Sequence, residues 1–144
     1  MTLVEKFWQG VKEFNQQQFY ACHDTLEAIW IEAPESDKRF YQGVLQVAVG
    51  CYHLSNHNWR GAVILLGEAV RRLCDYQPEY QGINVELLME QANQLLQTLQ
   101  KIEPEQTELF WQQLQNSAAS STEPPPQEQN LVGDCKLPQI TKVN

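Results

Sequence analysis

A histidine, a glutamate and a tryptophan share one side of an otherwise ordinary amphipathic helix in the stretch ACHDTLEAIW. At about 3.6 residues per turn, His23, Glu27 and Trp30 fall on one stripe beside the apolar Leu26. An imidazole and a carboxylate at positions i and i+4 reach the same point from one helical turn, which is how a helix offers two ligands to one metal ion. The spacing therefore predicts a metal site on this helix.

A third ligand is expected from the next helix along the chain. Gln42, Gln46 and His53 lie at spacings of four and seven residues, again on one stripe of a helix. If the two helices form a hairpin, His53 joins His23 and Glu27 as a ligand, and Gln46 is a hydrogen-bond partner behind them. Two histidines and one carboxylate with open positions suit a first-row divalent metal and leave room for water or substrate.

One alternative to a metal site stays open, in which the His/Glu pair is structural. A buried histidine that donates to a glutamate one turn away, with Trp30 packed over both, is a satisfied polar pair that fixes helix register. The protein would then be a non-catalytic helical interaction module, whose paired helices form a groove for a partner peptide. The chain lacks a Gly-rich phosphate loop, a G-x-S-x-G elbow and an H-E-x-x-H motif, so no catalytic motif identifies a reaction. Whether the protein is an enzyme therefore stays open.

The composition is that of one acidic domain. The chain has 144 residues, with 10 basic against 18 acidic side chains and a net charge of −8. Because this charge repels phosphate groups, neither nucleic acid nor an anionic membrane is expected as a partner. A homo-oligomer or a protein partner is compatible with an acidic helical chain that has several tryptophans.

Cysteine usage and the N-terminus indicate the compartment. Four cysteines are widely spread without a C-x-x-C pair, which argues against thiolate clusters for zinc or iron–sulfur. The first ten residues lack the basic and apolar regions of a secretion signal, and the apolar stretches are too short to span a bilayer. We therefore expect a soluble cytoplasmic protein with free thiols.

Helical periodicity recurs along the chain, and strand signals are nearly absent. The apolar spacing predicts helices over about residues 2–17, 19–32, 36–55 and 59–76, with Ser36 as the N-cap of the third. Asn84 is expected to cap a fifth helix, and a shorter sixth follows Pro104. Short connections favour antiparallel neighbours, so we predict an all-α bundle or array of five to six helices over residues 1–116. The Pro-, Ser- and Gln-rich residues 117–144 are expected to form a disordered tail, with Leu131, Val132 and Ile140 docking weakly.

Two blocks of the sequence resemble the DUF309 family, a group of small helical proteins of uncharacterised function marked by the motif H-x-x-x-E-x-x-W. The blocks are FNQQQFYACHDTLEAIW and FYQGVLQVAVGCYHLSNHNWRGAVILL. The first contains the motif as His23, Glu27 and Trp30. The second contains the downstream pattern Q-G-x-x-Q…H…N-x-x-G-A, filled by Gln42, Gly43, Gln46, His53, Asn58, Gly61 and Ala62.

The resemblance covers about residues 7–73 and implies an all-α fold and a suspected metal-binding role for the His/Glu motif. Members often have glutamate after the motif histidine, where this chain has Asp24. With Gln46, we expect Gln42, Trp30 and Asn58 to orient the metal ligands or a substrate. The resemblance supplies neither a reaction nor the identity of the divalent metal.

Overall fold

The structure, a computed structural model, describes residues 1–119 and 129–143. It contains six α-helices, which confirms the predicted fold class. They are α1 (Leu3–Asn15), α2 (Phe19–Glu32), α3 (Glu35–Ser55), α4 (Trp59–Leu73), α5 (Val85–Gln100) and α6 (Thr107–Ala119). Short 3₁₀ turns at Cys74–Tyr76 and Pro104–Gln106 flank α5, and β1 (Glu79–Tyr80) pairs antiparallel with β2 (Ile83–Asn84).

Side-chain caps set several of the helix starts. Thr2 and Glu5 form a capping box at α1, with both hydrogen bonds 3.1 Å long. Asn84 accepts a 2.9 Å hydrogen bond from the Leu87 amide, which confirms the predicted N-cap of α5. The predicted Ser36 cap is wrong by two positions, because α3 begins at Glu35 and its N-cap residue is Pro34.

Helix α3 is the centre of the fold, with α2 packed on one side and α4 on the other. The connections between α1, α2, α3 and α4 are short, so consecutive helices run antiparallel. Two glycines let α4 approach α3 closely, since a Cβ at Gly43 would lie 2.8 Å from Leu73 and one at Gly50 would lie 3.0 Å from Leu66. This close contact fixes α4 against one side of α3, and α2 packs against the other side.

Residues 129–143 form a segment that we call the C-terminal strap, and it departs from the predicted disordered tail. Asn15 exchanges two hydrogen bonds of 2.8 and 2.9 Å with the backbone of Ile140, and Gln91 accepts a 2.9 Å hydrogen bond from the Gln139 amide. Five apolar side chains of the strap are buried: Val132, Cys135, Leu137, Pro138 and Ile140.

The prediction of disorder is therefore corrected for residues 129–143, because buried apolar groups and amide hydrogen bonds offset the entropy of ordering them. Residues 120–128 lie outside the described part, so the prediction is not addressed there. Helix α6 itself continues to Ala119, beyond the predicted boundary at residue 117. Among the described helices, none combines the length and the apolar character that crossing a membrane requires.

Candidate metal site

Helix α2 brings three ligand side chains together within one turn: His23, Asp24 and Glu27. The imidazole lies between the two carboxylates, with Nδ1 3.3 Å from Asp24 Oδ1 and Nε2 3.3 Å from Glu27 Oε2. One ligand atom from each residue can be chosen so that all three lie within 4.8 Å of one another. Within residues 1–119 and 129–143, no other set of three His, Cys, Asp or Glu side chains meets this criterion.

The group is open to solvent. The side chains of His23, Glu27 and Asp24 are 34%, 50% and 63% exposed, respectively. The alternative, a His/Glu pair buried in the core, is therefore wrong, because both side chains are partly exposed. Exposed ion pairs of this kind contribute only about 0–1 kcal/mol to stability, so folding of the domain does not depend on them.

A groove of about 250 Å³ lies against the group, lined by His23, Glu27, Trp30, Gln42 and Leu45. The structure thus places Trp30 and Gln42 beside the His/Glu pair. The ammonium of Lys38 lies 5.3 Å from the centre of the Trp30 ring, a cation–π contact with a residue that lines the groove.

His53 lies on the other side of His23 and does not belong to the three-ligand group. Its Nδ1 is 3.4 Å from the side-chain nitrogen of Asn58. A Cβ at Gly61 would lie 2.8 Å from His53 Cγ, so the glycine makes room for the imidazole against the start of α4. Asn58 also caps α4 by accepting a 2.9 Å hydrogen bond from the Gly61 amide. The structure therefore assembles His23 and Glu27 with Asp24, and the predicted set with His53 is not assembled.

Gln46 faces α4 instead of the groove. It is only 6% exposed. Its amide nitrogen donates to Glu68 over 2.9 Å, and its amide oxygen accepts from Arg72 over 3.0 Å. Both ends of the amide are thus occupied, and the predicted role of Gln46 behind the metal site is wrong.

The buried cysteines contribute no ligand to the group. Cys22 precedes His23 in the chain but points into the core, where burial, reinforced by the charge of Glu13, raises the pKa of its thiol to about 12. Burial also raises the pKa of Cys51 and Cys135. Because the thiolate is the form that binds metals, these residues are inert at neutral pH. All four cysteines are free, as expected, and Cys74 is the exposed one.

Asp24 is the member of the group that sequence reasoning missed. Residues at positions i and i+4 lie on one stripe of a helix, whereas neighbouring residues point about 100° apart, so the spacing does not predict Asp24 beside His23. An imidazole is long enough for its two nitrogens to meet carboxylates on both sides, so adjacency does not prevent the contact. The signal was present as an acidic residue directly after the motif histidine.

Comparison with known proteins agrees with the resemblance to the DUF309 family. Residues 7–65 match the family described as "Domain of unknown function (DUF309)", which confirms the resemblance and includes every side chain of the three-ligand group. The chain is also 34% identical over 68 residues to YpuF, an uncharacterised protein of Bacillus subtilis (strain 168). This match covers 46% of the present chain and 37% of YpuF, so the chain spans well under half of its relative.

Proposed function

We propose that the protein binds a divalent metal ion on α2 through His23, Asp24 and Glu27. The observation that carries the proposal is the approach of three ligand atoms to within 4.8 Å of one another on one exposed helical turn. Three ligands about 2.1 Å from a common metal lie about 3–3.6 Å apart, and one imidazole offers the metal a single nitrogen. To complete the site, the three atoms therefore have to come about 1 Å closer together, and the carboxylate beside the other nitrogen has to rotate around the ring. Asp24 and Glu27 are exposed enough to make this movement by side-chain rotation.

The chemistry of the donor set narrows the metal. One imidazole nitrogen and two carboxylate oxygens suit zinc, manganese or iron(II), whereas calcium and magnesium prefer oxygen ligands. Because His23 and Glu27 line the groove together with Trp30 and Gln42, a metal held by them would be accessible from the groove. A metal held in this way keeps positions free for water or a small molecule, although no reaction follows from the geometry.

The test is elemental analysis of the tag-free protein after incubation with zinc, manganese or iron(II) and removal of excess metal. We expect about one metal per chain in the wild type, none in His23→Ala and strongly reduced metal in Asp24→Asn. Glu32→Gln is the matched control, because Glu32 is an exposed carboxylate of the same helix outside the group.

His53→Ala separates the two possible ligand sets. Retention of metal in His53→Ala with loss in Asp24→Asn supports the group that the structure assembles. The reverse pattern would restore the two-histidine set expected from helix spacing. A wild type that takes up none of the three metals would overturn the proposal.

A further inference from the structure

A second cavity adjoins the metal site across His23. It has a volume of about 150 Å³ and is lined by Tyr20, His23, Val49, Tyr52 and His53. A cavity of about this volume in a protein core holds one benzene molecule. Its size thus matches a single aromatic ring.

The walls of this cavity are mostly aromatic. The ring centres of Tyr20 and Tyr52 are 5.6 Å apart, and the planes are tilted by 57°. Tyr20 also lies 6.2 Å from the His23 ring, and Tyr52 lies 6.3 Å from the His53 ring. Aromatic pairs prefer such tilted and offset arrangements, so a ring that enters the cavity would meet ring edges and faces of the kind it packs against.

Tyr20 is unusually open for a large aromatic residue, because 60% of it is exposed. Its contacts with Tyr52 and His23 hold it at the rim of the cavity, away from the core. At this position its ring can cover one side of a ligand in the cavity.

His23 lines both the cavity and the groove, and of the three proposed metal ligands it is the one that lines the cavity, so it links the metal site to the cavity. The carboxylates of Asp24 and Glu27 together carry two negative charges, which a divalent ion neutralises. A singly charged coordinating group therefore meets no net repulsion at the site.

We infer that the site takes a small molecule in which a metal-coordinating acid group is attached to a single aromatic ring or an apolar group of similar size. The acid group coordinates the ion at His23, Asp24 and Glu27, and the ring enters the cavity between Tyr20, Val49 and Tyr52. This inference rests on the metal site proposed above, and it assigns the ligand class of that site.

Two hydroxamates serve as probes of the zinc-loaded full-length protein. Benzohydroxamate and acetohydroxamate coordinate zinc through the same group and differ only in a phenyl against a methyl substituent. Because burial of the additional apolar surface favours binding, we expect benzohydroxamate to bind at least about tenfold more tightly by titration calorimetry. In Val49→Trp, which fills the cavity, the ratio of the two affinities should fall to about one with zinc still bound.

Ile64→Trp is the control, since Ile64 is an exposed residue of α4 outside the cavity, and it should leave the ratio unchanged. Intermolecular NOEs in the wild type give a second readout that does not depend on a variant folding. They should join the phenyl protons to the Val49 methyl groups and the Tyr52 ring. NOEs to Leu45 and Trp30 instead would place the ring in the groove and overturn the inference.

The two proposals fail in different ways. If the wild type binds no zinc, the metal site is wrong, and the ligand class falls with it. If zinc binds but the two hydroxamates bind equally, or Val49→Trp leaves their ratio unchanged, the metal site stands and only this inference is wrong.

Discussion

Two polar clusters flank α3, and they differ in how completely their atoms are paired. Between α3 and α4, both ends of the buried Gln46 amide are bonded to Glu68 and Arg72, which themselves form an ion pair of 3.6 Å. On α2, His23 and Glu27 are partly exposed beside a groove and have room to bind something else. Both clusters appear in the sequence as polar residues on apolar helical stripes, so their type and spacing do not distinguish them.

The difference separates a structural role from a binding role. A buried amide with both ends satisfied stabilises one arrangement of two helices, and its loss leaves charged partners without their hydrogen bonds. An open group of ligands contributes little to folding and is free to bind an ion. Stability and metal binding should therefore respond to different residues.

The largest effect is expected for metal affinity in His23→Ala. Removal of a ligand should weaken zinc or manganese binding by at least about 100-fold, since even residues behind the ligands commonly contribute 10- to 100-fold. In metal-free protein the free energy of unfolding should change by less than about 0.5 kcal/mol, because the pair is exposed. Competition titration with a chelating dye and urea denaturation measure the two quantities. A loss of stability above about 1 kcal/mol would show that the histidine has a structural role.

Gln46→Ala should give the opposite pattern. We expect a loss of about 1–3 kcal/mol in the free energy of unfolding, because Glu68 and Arg72 lose their shared partner. Metal affinity should stay unchanged. Gln42→Ala is the matched control in the same helix, and it should change stability by less than about 0.5 kcal/mol, since Gln42 lines the open groove. Equal effects of the two substitutions would remove the distinction between the clusters.

The side chain of Asn15 is a second amide with both ends bonded, here to the C-terminal strap. Its substitution therefore tests whether the behaviour of Gln46 is general. Asn15→Ala removes two hydrogen bonds to Ile140 and should destabilise the protein by about 1–2 kcal/mol. The same substitution should speed hydrogen exchange at the Ile140 amide, as measured by mass spectrometry. Gln16→Ala, at the exposed neighbouring position, should do neither.

The smallest effect is expected for the reactivity of the cysteine thiols with a disulfide reagent. This reactivity shows whether the reagent can reach the core around α2. In the native protein at pH 8, one cysteine per chain, Cys74, should react with a disulfide reagent, and all four should react after denaturation. Because the pKa of Cys22 is raised to about 12, its proton stays bound at pH values where an exposed thiol ionises, so raising the pH to 9 should not make it reactive. Cys74→Ser should abolish the native reaction, and rapid labelling of Cys22 would show that the core beside His23 opens.

The helices could be predicted because their apolar spacing is regular, and the observed α2 has the predicted bounds. The partners of individual polar side chains could not. Gln42 and Gln46 differ by one turn, which rotates the second by about 40° around the helix axis. Since α3 lies between two other helices, this rotation is enough to place one amide in the groove and the other against α4.

The C-terminal strap was difficult to predict for a different reason. Its buried residues follow neither a helical nor a strand period, and the side chains that bind it come from distant parts of the chain. Asn15 lies 125 residues before Ile140. No local pattern encodes such a contact, which is specified only once the helices have formed a surface with the right amides on it.

This long-range contact also has a consequence for the order in which the protein is made. All six helices leave the ribosome before Ile140 does. Until Ile140 emerges, the Asn15 side chain cannot form its two hydrogen bonds to that residue. Until then the apolar surface that the strap covers is in contact with water. A nascent chain at this stage has its helices but not its finished core, so it is at this stage that binding by a chaperone would protect it best.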